Sequence, residues 1–70
     1  MKRKYFVDHI ELVHYSDGVV SEKKLHTYIT YAFSEKQAVS QIRFREKLRL
    51  GNFGMSWDES YQELLKARLA

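Results

Sequence analysis

The sequence predicts a small α+β domain of ββαα order, an antiparallel hairpin packed with two helices, in a single domain over residues 1–70. Three observations carry this. An Asp-Gly pair separates two runs rich in β-branched and aromatic residues, and two capping boxes each head an amphipathic stretch.

The first strand spans residues 4–15, Lys-Tyr-Phe-Val-Asp-His-Ile-Glu-Leu-Val-His-Tyr, and stops at Ser16-Asp17-Gly18. Asp-Gly suits a tight type I′ turn because both central residues need positive φ. The second strand spans about 19–33 and is strongest at Leu25-His-Thr-Tyr-Ile-Thr-Tyr-Ala-Phe33. A two-residue turn makes paired positions sum to 35. Phe6 then faces Ile29 and Ile10 faces Leu25 on an apolar side. Val7 meets Tyr28, His9 meets His26, and Glu11 meets Lys24 on a mixed side. Asp8 and Lys23 sit awkwardly on the apolar side, which leaves room for a bulge.

Ser34-Glu-Lys-Gln37 opens a helix expected over 35–50, with Gly51 placed to end it. Its stripe of Ala38, Val39, Ile42 and Leu50 is expected to cover the apolar side of the hairpin, with a core of Ile10, Leu25, Ile29, Ala38, Val39 and Ile42. Gly51-Asn-Phe-Gly54 reads as a loop. Ser56-Trp-Asp-Glu59 opens a second helix, 57–69, with Trp57, Tyr61, Leu64 and Leu65 as its apolar stripe. Acids in its first turn and Lys66 and Arg68 in its last suit the helix dipole.

Composition narrows the function classes. Twelve Lys or Arg against nine Asp or Glu give 12 − 9 = +3. With no Cys, there are no disulfides, thiolate metal sites or cysteine nucleophiles. No apolar run reaches the length of a secretory core or a membrane span, so no membrane partner is expected and the expected compartment is the cytoplasm. No cofactor is implied.

Chemistry-bearing motifs are sparse. His9, His26 and Glu11 share the mixed side, but a metal needs a third and usually a fourth convergent ligand. The histidines read as strand residues stacking on Tyr28 or Tyr5, and no metal site is expected. No serine lies in a Gly-x-Ser-x-Gly elbow, and no Gly-Lys-Ser/Thr follows the glycines. The chain reads as a non-enzyme.

Tyr5, Tyr28 and the two histidines on the mixed side could stack on unpaired bases, but that side is expected to pack against the stripe of Trp57 and Tyr61. Two surfaces remain. Lys36, Arg43, Arg45, Lys47 and Arg49 on the first helix form a basic stretch able to lie along phosphates, making nucleic acid or a nucleoprotein complex the expected partner. Phe44, Leu48, Phe53, Met55 and Trp57 exceed what one ribbon and one helix bury, which makes a protein interface the alternative. Nothing in the sequence sets an oligomeric state.

The stretch Leu25-His-Thr-Tyr-Ile-Thr-Tyr-Ala-Phe-Ser-Glu-Lys-Gln-Ala-Val-Ser-Gln-Ile-Arg-Phe-Arg45 is similar to a strand-into-helix segment of small phage and mobile-element accessory proteins of ββα type. Its joint also resembles that of the archaeal ribosomal protein LX family. The resemblance implies an accessory role on nucleic acid or nucleoprotein. The protein-directed alternative is similar in kind to anti-CRISPR inhibitors.

Overall fold

Thirteen residues from Arg3 to Tyr15 form β1 and thirteen from Val20 to Ala32 form β2, joined by the expected hairpin. The computed structural model describes residues 1–48, 50–56 and 59–70, with 51–56 and 59 described in backbone only. The turn is one residue longer than Asp-Gly alone would make it. Gly18 N–H donates to the Tyr15 carbonyl at 3.0 Å, and Tyr15 N–H donates to the Val19 carbonyl at 2.9 Å. Gly18 takes the left-handed conformation at φ 88, and Asp17 Oδ1 accepts from Val19 N–H at 3.0 Å. This is a three-residue loop closing with a left-handed glycine.

That loop lowers the sum of paired positions to 34 near the turn, as in Ile10↔Lys24 and Glu11↔Lys23. An irregularity at His9/Ile10 then leaves Leu25 as the extra residue of β2 and restores a sum of 35. Phe6↔Ile29, Val7↔Tyr28 and His9↔His26 therefore pair as expected. Ile10 faces Lys24 rather than Leu25, and Glu11 faces Lys23 rather than Lys24.

Helix α1 spans Glu35–Arg45. Ser34 Oγ accepts from Gln37 N–H at 3.1 Å, while Gln37 Oε1 reaches back to Phe33 N–H at 2.6 Å. The helix ends well before Gly51. Leu48 N–H donates to the Arg43 carbonyl and Lys47 N–H to the Phe44 carbonyl, with Lys47 left-handed at φ 53. This is a Schellman ending with lysine where glycine is preferred. Leu48, the residue that follows, packs on the core.

No second helix is present among the described residues. Gly51–Ser56 is β3, where a loop was expected, and Glu59–Leu69 is β4, where a helix over 57–69 was expected. Arg49, Trp57 and Asp58 lie outside the described residues. The order is ββαββ rather than ββαα: one antiparallel sheet, β2-β1-β4-β3, in which three long strands are joined by a short edge strand. β4 runs along β1 from Tyr5↔Leu69 to Tyr15↔Glu59. Helix propensity is worth only tenths of a kcal/mol per residue here, and a continuous ladder that buries alternate residues outweighs it.

α1 crosses the side expected to be the mixed one. The core is Tyr5, Val7, Ala32, Ala38 and Ile42, with Tyr28, Val39, Leu48, Leu65 and Ala67 packed against it. Ala32, Ala38 and Ala67 let the helix approach this side closely. The opposite side carries Phe6, Ile29 and Tyr31, which would hold it off. Ala38, Val39 and Ile42 keep their expected places, but Leu25 and Ile29 are exposed, the latter at 47%. Ile10 is buried on the far side of the sheet, outside the helix-packed cluster. Thr30 Oγ1–H donates to Gln41 Oε1 at 2.8 Å, tying β2 to α1.

Candidate functional site

Side chains alternate along a strand, so the side of the sheet away from α1 is fixed by register. Across it run rows of neighbours: Tyr31 beside Lys4, Ile29 beside Phe6 beside Arg68, Thr27 beside Asp8 beside Lys66, and Lys24 beside Ile10 beside Leu64. Lys66 and Arg68 reach one side only because β4 is a strand. On a helix, residues two apart point nearly opposite ways.

Asp8 organises the middle of this surface. Its side chain is 7% exposed, and both oxygens are engaged. Thr27 Oγ1–H donates to Oδ1 at 2.7 Å, Arg68 Nε–H donates to Oδ2 at 3.1 Å, and Lys24 Nζ stands 3.6 Å from Oδ1. The Thr27 hydrogen bond holds the carboxyl below its ordinary pKa. Burial pushes the other way, and Arg68 and Lys24 add to the lowering. The carboxylate is thereby neutralised from within, and the cations around it still face solvent.

Aromatic rings interleave with those cations. The Arg68 guanidinium lies 4.8 Å from the Phe6 ring centre, Lys4 Nζ lies 6.0 Å from the same ring, and Lys2 Nζ lies 5.8 Å from that of Phe33. Tyr31 is 58% exposed and Phe33, at the β2–α1 joint, 61%. A sheet face that no other layer covers among the described residues thus carries Tyr31, Phe6, Lys4, Lys24, Lys66 and Arg68.

The helix side beyond α1 has a different character. His9 Nε2 is 3.0 Å from Glu63 Oε1 without the alignment of a hydrogen bond, and Tyr61 O–H donates to Glu11 at 3.4 Å. Desolvation first, then the charges of Glu63 and Glu11, raises the Tyr61 pKa. His26 packs edge-on to Tyr28, with centroids 4.4 Å apart. No three His, Asp or Glu side chains converge on a metal position among the described residues.

Of the basic residues expected on the first helix, Lys36, Arg43, Arg45 and Lys47 are exposed, but they lie in the layer opposite the aromatic-cationic face. Lys36, Arg43 and Lys47 point to solvent. Arg45 is partly engaged: Nη2 donates to the Ile29 carbonyl at 3.2 Å and Nε to Glu46 at 3.3 Å. Arg49 falls outside the described residues. Of the apolar candidates, Phe44 is 82% exposed while Leu48 is half-buried on the core. Phe53 and Met55 lie in β3 with side chains outside the description, as does Trp57 altogether.

Lys4, Lys66 and Arg68 are the residues that sequence reasoning did not bring together. A signal existed: from Tyr61 to Leu69, Tyr61, Leu65, Ala67 and Leu69 alternate with Gln62, Lys66 and Arg68, a period of two broken only at Glu63 and Leu64. No described helix is long and apolar enough to cross a membrane. No family model, curated protein or solved structure matches the chain.

Proposed function

We propose that this chain is a non-enzymatic binding module acting on nucleic acid or a nucleoprotein complex in the cytoplasm, through the open face of its sheet. The observation that supports it is the run of cations, Lys4, Lys24, Lys66 and Arg68, around aromatic rings on a face that no layer covers among the described residues. Phosphates are the partners such cations favour, and each one neutralised releases counterions. Lys36 and Arg43 on α1 and Lys47 just beyond its end lie in the other layer, so their share is long-range attraction rather than contact on this face.

Anisotropy titration of labelled DNA and RNA at two salt concentrations tests the reading. Affinity should fall steeply with salt. Lys4→Ala with Lys66→Ala should flatten the log–log slope by about 1.5, and Arg43→Ala with Lys47→Ala by less. No binding to either polymer at low salt would end the proposal.

A protein-directed reading draws on a separate observation, the exposure of Phe44 between Arg43 and Arg45 on α1. A large apolar ring displayed among arginines has the composition of an interface anchor. Phe44→Ala should abolish partner capture on this reading and leave nucleic-acid affinity untouched on the first.

A further inference from the structure

The cations on the open face would suit any polyanion; the rings beside them are more selective. We infer that the ligand is single-stranded nucleic acid, with bases stacking on Tyr31 and Phe33 and the backbone following Lys2, Lys4, Lys66 and Arg68. This rests on the nucleic-acid reading of the same face and names its substrate class.

The rings differ in what each already has to pack against. Phe6 is covered by the Arg68 guanidinium at 4.8 Å, and that guanidinium is held in place by Asp8 at 3.1 Å. Tyr31 and Phe33 are more than half exposed, although the residues flanking Tyr31 are buried: Thr30 at 8% and Ala32 at 0%. Two large rings therefore stand in solvent on a backbone that is fixed by the core beneath. With the backbone already fixed, only the two side-chain torsions of each ring are left to order when a base stacks on it.

Duplexes cannot use such rings, because their bases are stacked on each other and show only edges in the grooves. Unpaired bases can, and stacking on aromatic or arginine planes tolerates any sequence. Charge placement agrees. Lys2 Nζ sits over one side of the Phe33 ring at 5.8 Å, and Lys4, whose Nζ lies 6.0 Å from the Phe6 ring centre, is paired across from Tyr31, so both rings have a lysine at a neighbouring position where a phosphate would pass. Successive same-side rows along the strands lie about 6.7 Å apart, so the stripe runs along the strand axis as an extended chain does. The buried acid is already satisfied by Thr27, Arg68 and Lys24 and does not repel the strand.

The test compares a fluorescein-labelled 12-nucleotide single strand with the duplex of the same sequence at equal salt. The single strand should bind at least about 10-fold more tightly. Tyr31→Leu with Phe33→Leu should weaken single-strand binding about 10-fold or more, leaving both the duplex affinity and the salt slope unchanged. Both positions are exposed, and an unchanged melting curve of the variant confirms that folding is not the cause. Equal binding of duplex and single strand, or an unaffected double variant, overturns the stacking inference while the nucleic-acid reading survives. Absence of binding to both polymers removes that reading and this one with it. Sedimentation that finds a dimer broken by the same double variant, with no strand bound, overturns the inference in favour of a second copy on this face.

Discussion

Replacing Asp8 by Asn keeps the volume of the side chain and removes its charge from beneath the open face. The buried carboxylate accepts from Thr27 at 2.7 Å and from Arg68 at 3.1 Å, with Lys24 at 3.6 Å. Asparagine retains one acceptor oxygen, so one of the two hydrogen bonds survives and the amide nitrogen faces a donor at the other. A hydrogen bond to a charged group contributes about 1.5–3 kcal/mol, and Arg68 and Lys24 are half-exposed and screened, so a loss of about 2 kcal/mol is expected. A domain of this length has roughly 4–10 kcal/mol in total. Thermal unfolding should register a drop of about 8–16 °C. The pH dependence supplies a second reading. Because folding lowers the Asp8 pKa, its contribution is complete above the ordinary aspartate value near 4 and is lost as pH falls through the lowered one. Urea unfolding between pH 7 and pH 2 should therefore show the gap between wild type and Asp8→Asn closing in acid. Thr27→Val should shrink the acid-sensitive part more than Lys24→Ala, since the hydroxyl contact is the shortest. A variant within about 0.5 kcal/mol of wild type at pH 7, with a parallel pH profile, would refute the reasoning.

Two further changes separate the observed packing from the expected one. Ile42, fully buried on α1, should cost about 2–5 kcal/mol on truncation to Ala, whereas Ile29→Ala on the open face should cost under about 1; equal losses in urea would contradict the side that α1 covers. Lys47→Gly should raise the unfolding free energy by about 0.5 kcal/mol, read as a higher urea midpoint at constant m, because a left-handed lysine costs roughly 1 kcal/mol that glycine's extra chain entropy only partly cancels.

How much was legible depended on how local the signal was. Asp17-Gly18 announced the hairpin, and Ser34 with Gln37 announced α1, because turns and caps are made by residues a few positions apart. Phe6↔Ile29 came out right through two offsets that cancel, the longer loop and the extra residue at Leu25. The end of α1 was hidden because Lys47, not a glycine, takes the left-handed position. β4 was hidden for a different reason. Glu, Leu, Lys, Ala and Arg favour a helix locally, and only the free side of β1, many residues away, converts them to a strand. A helix over 57–69 keeps Lys66 and Arg68 apart from Lys4 and gives no sign that Ala67 admits α1 to the side it covers. The basic residues on α1 were readable as exposed, but not as lying opposite the rings.

One contact at the end of α1 reaches beyond its own energy. β2 is an edge strand, and the Ile29 carbonyl points away from β1, because Ala70 N–H bonding to Lys4 directs the even-numbered residues of β1 toward β4. Arg45 donates to that carbonyl at 3.2 Å. Farther along, the same edge carries Glu22, Lys23 and Lys24 and is kinked at Leu25. The strand is thus closed to recruitment at both ends by different means, charge and kink at one and a guanidinium plug at the other. Only the plug belongs to a separate element. Docking of α1 therefore does double duty, completing the core and keeping Thr27 to Tyr31 from templating another chain, so any loosening of the helix becomes an aggregation hazard as well as a loss of stability.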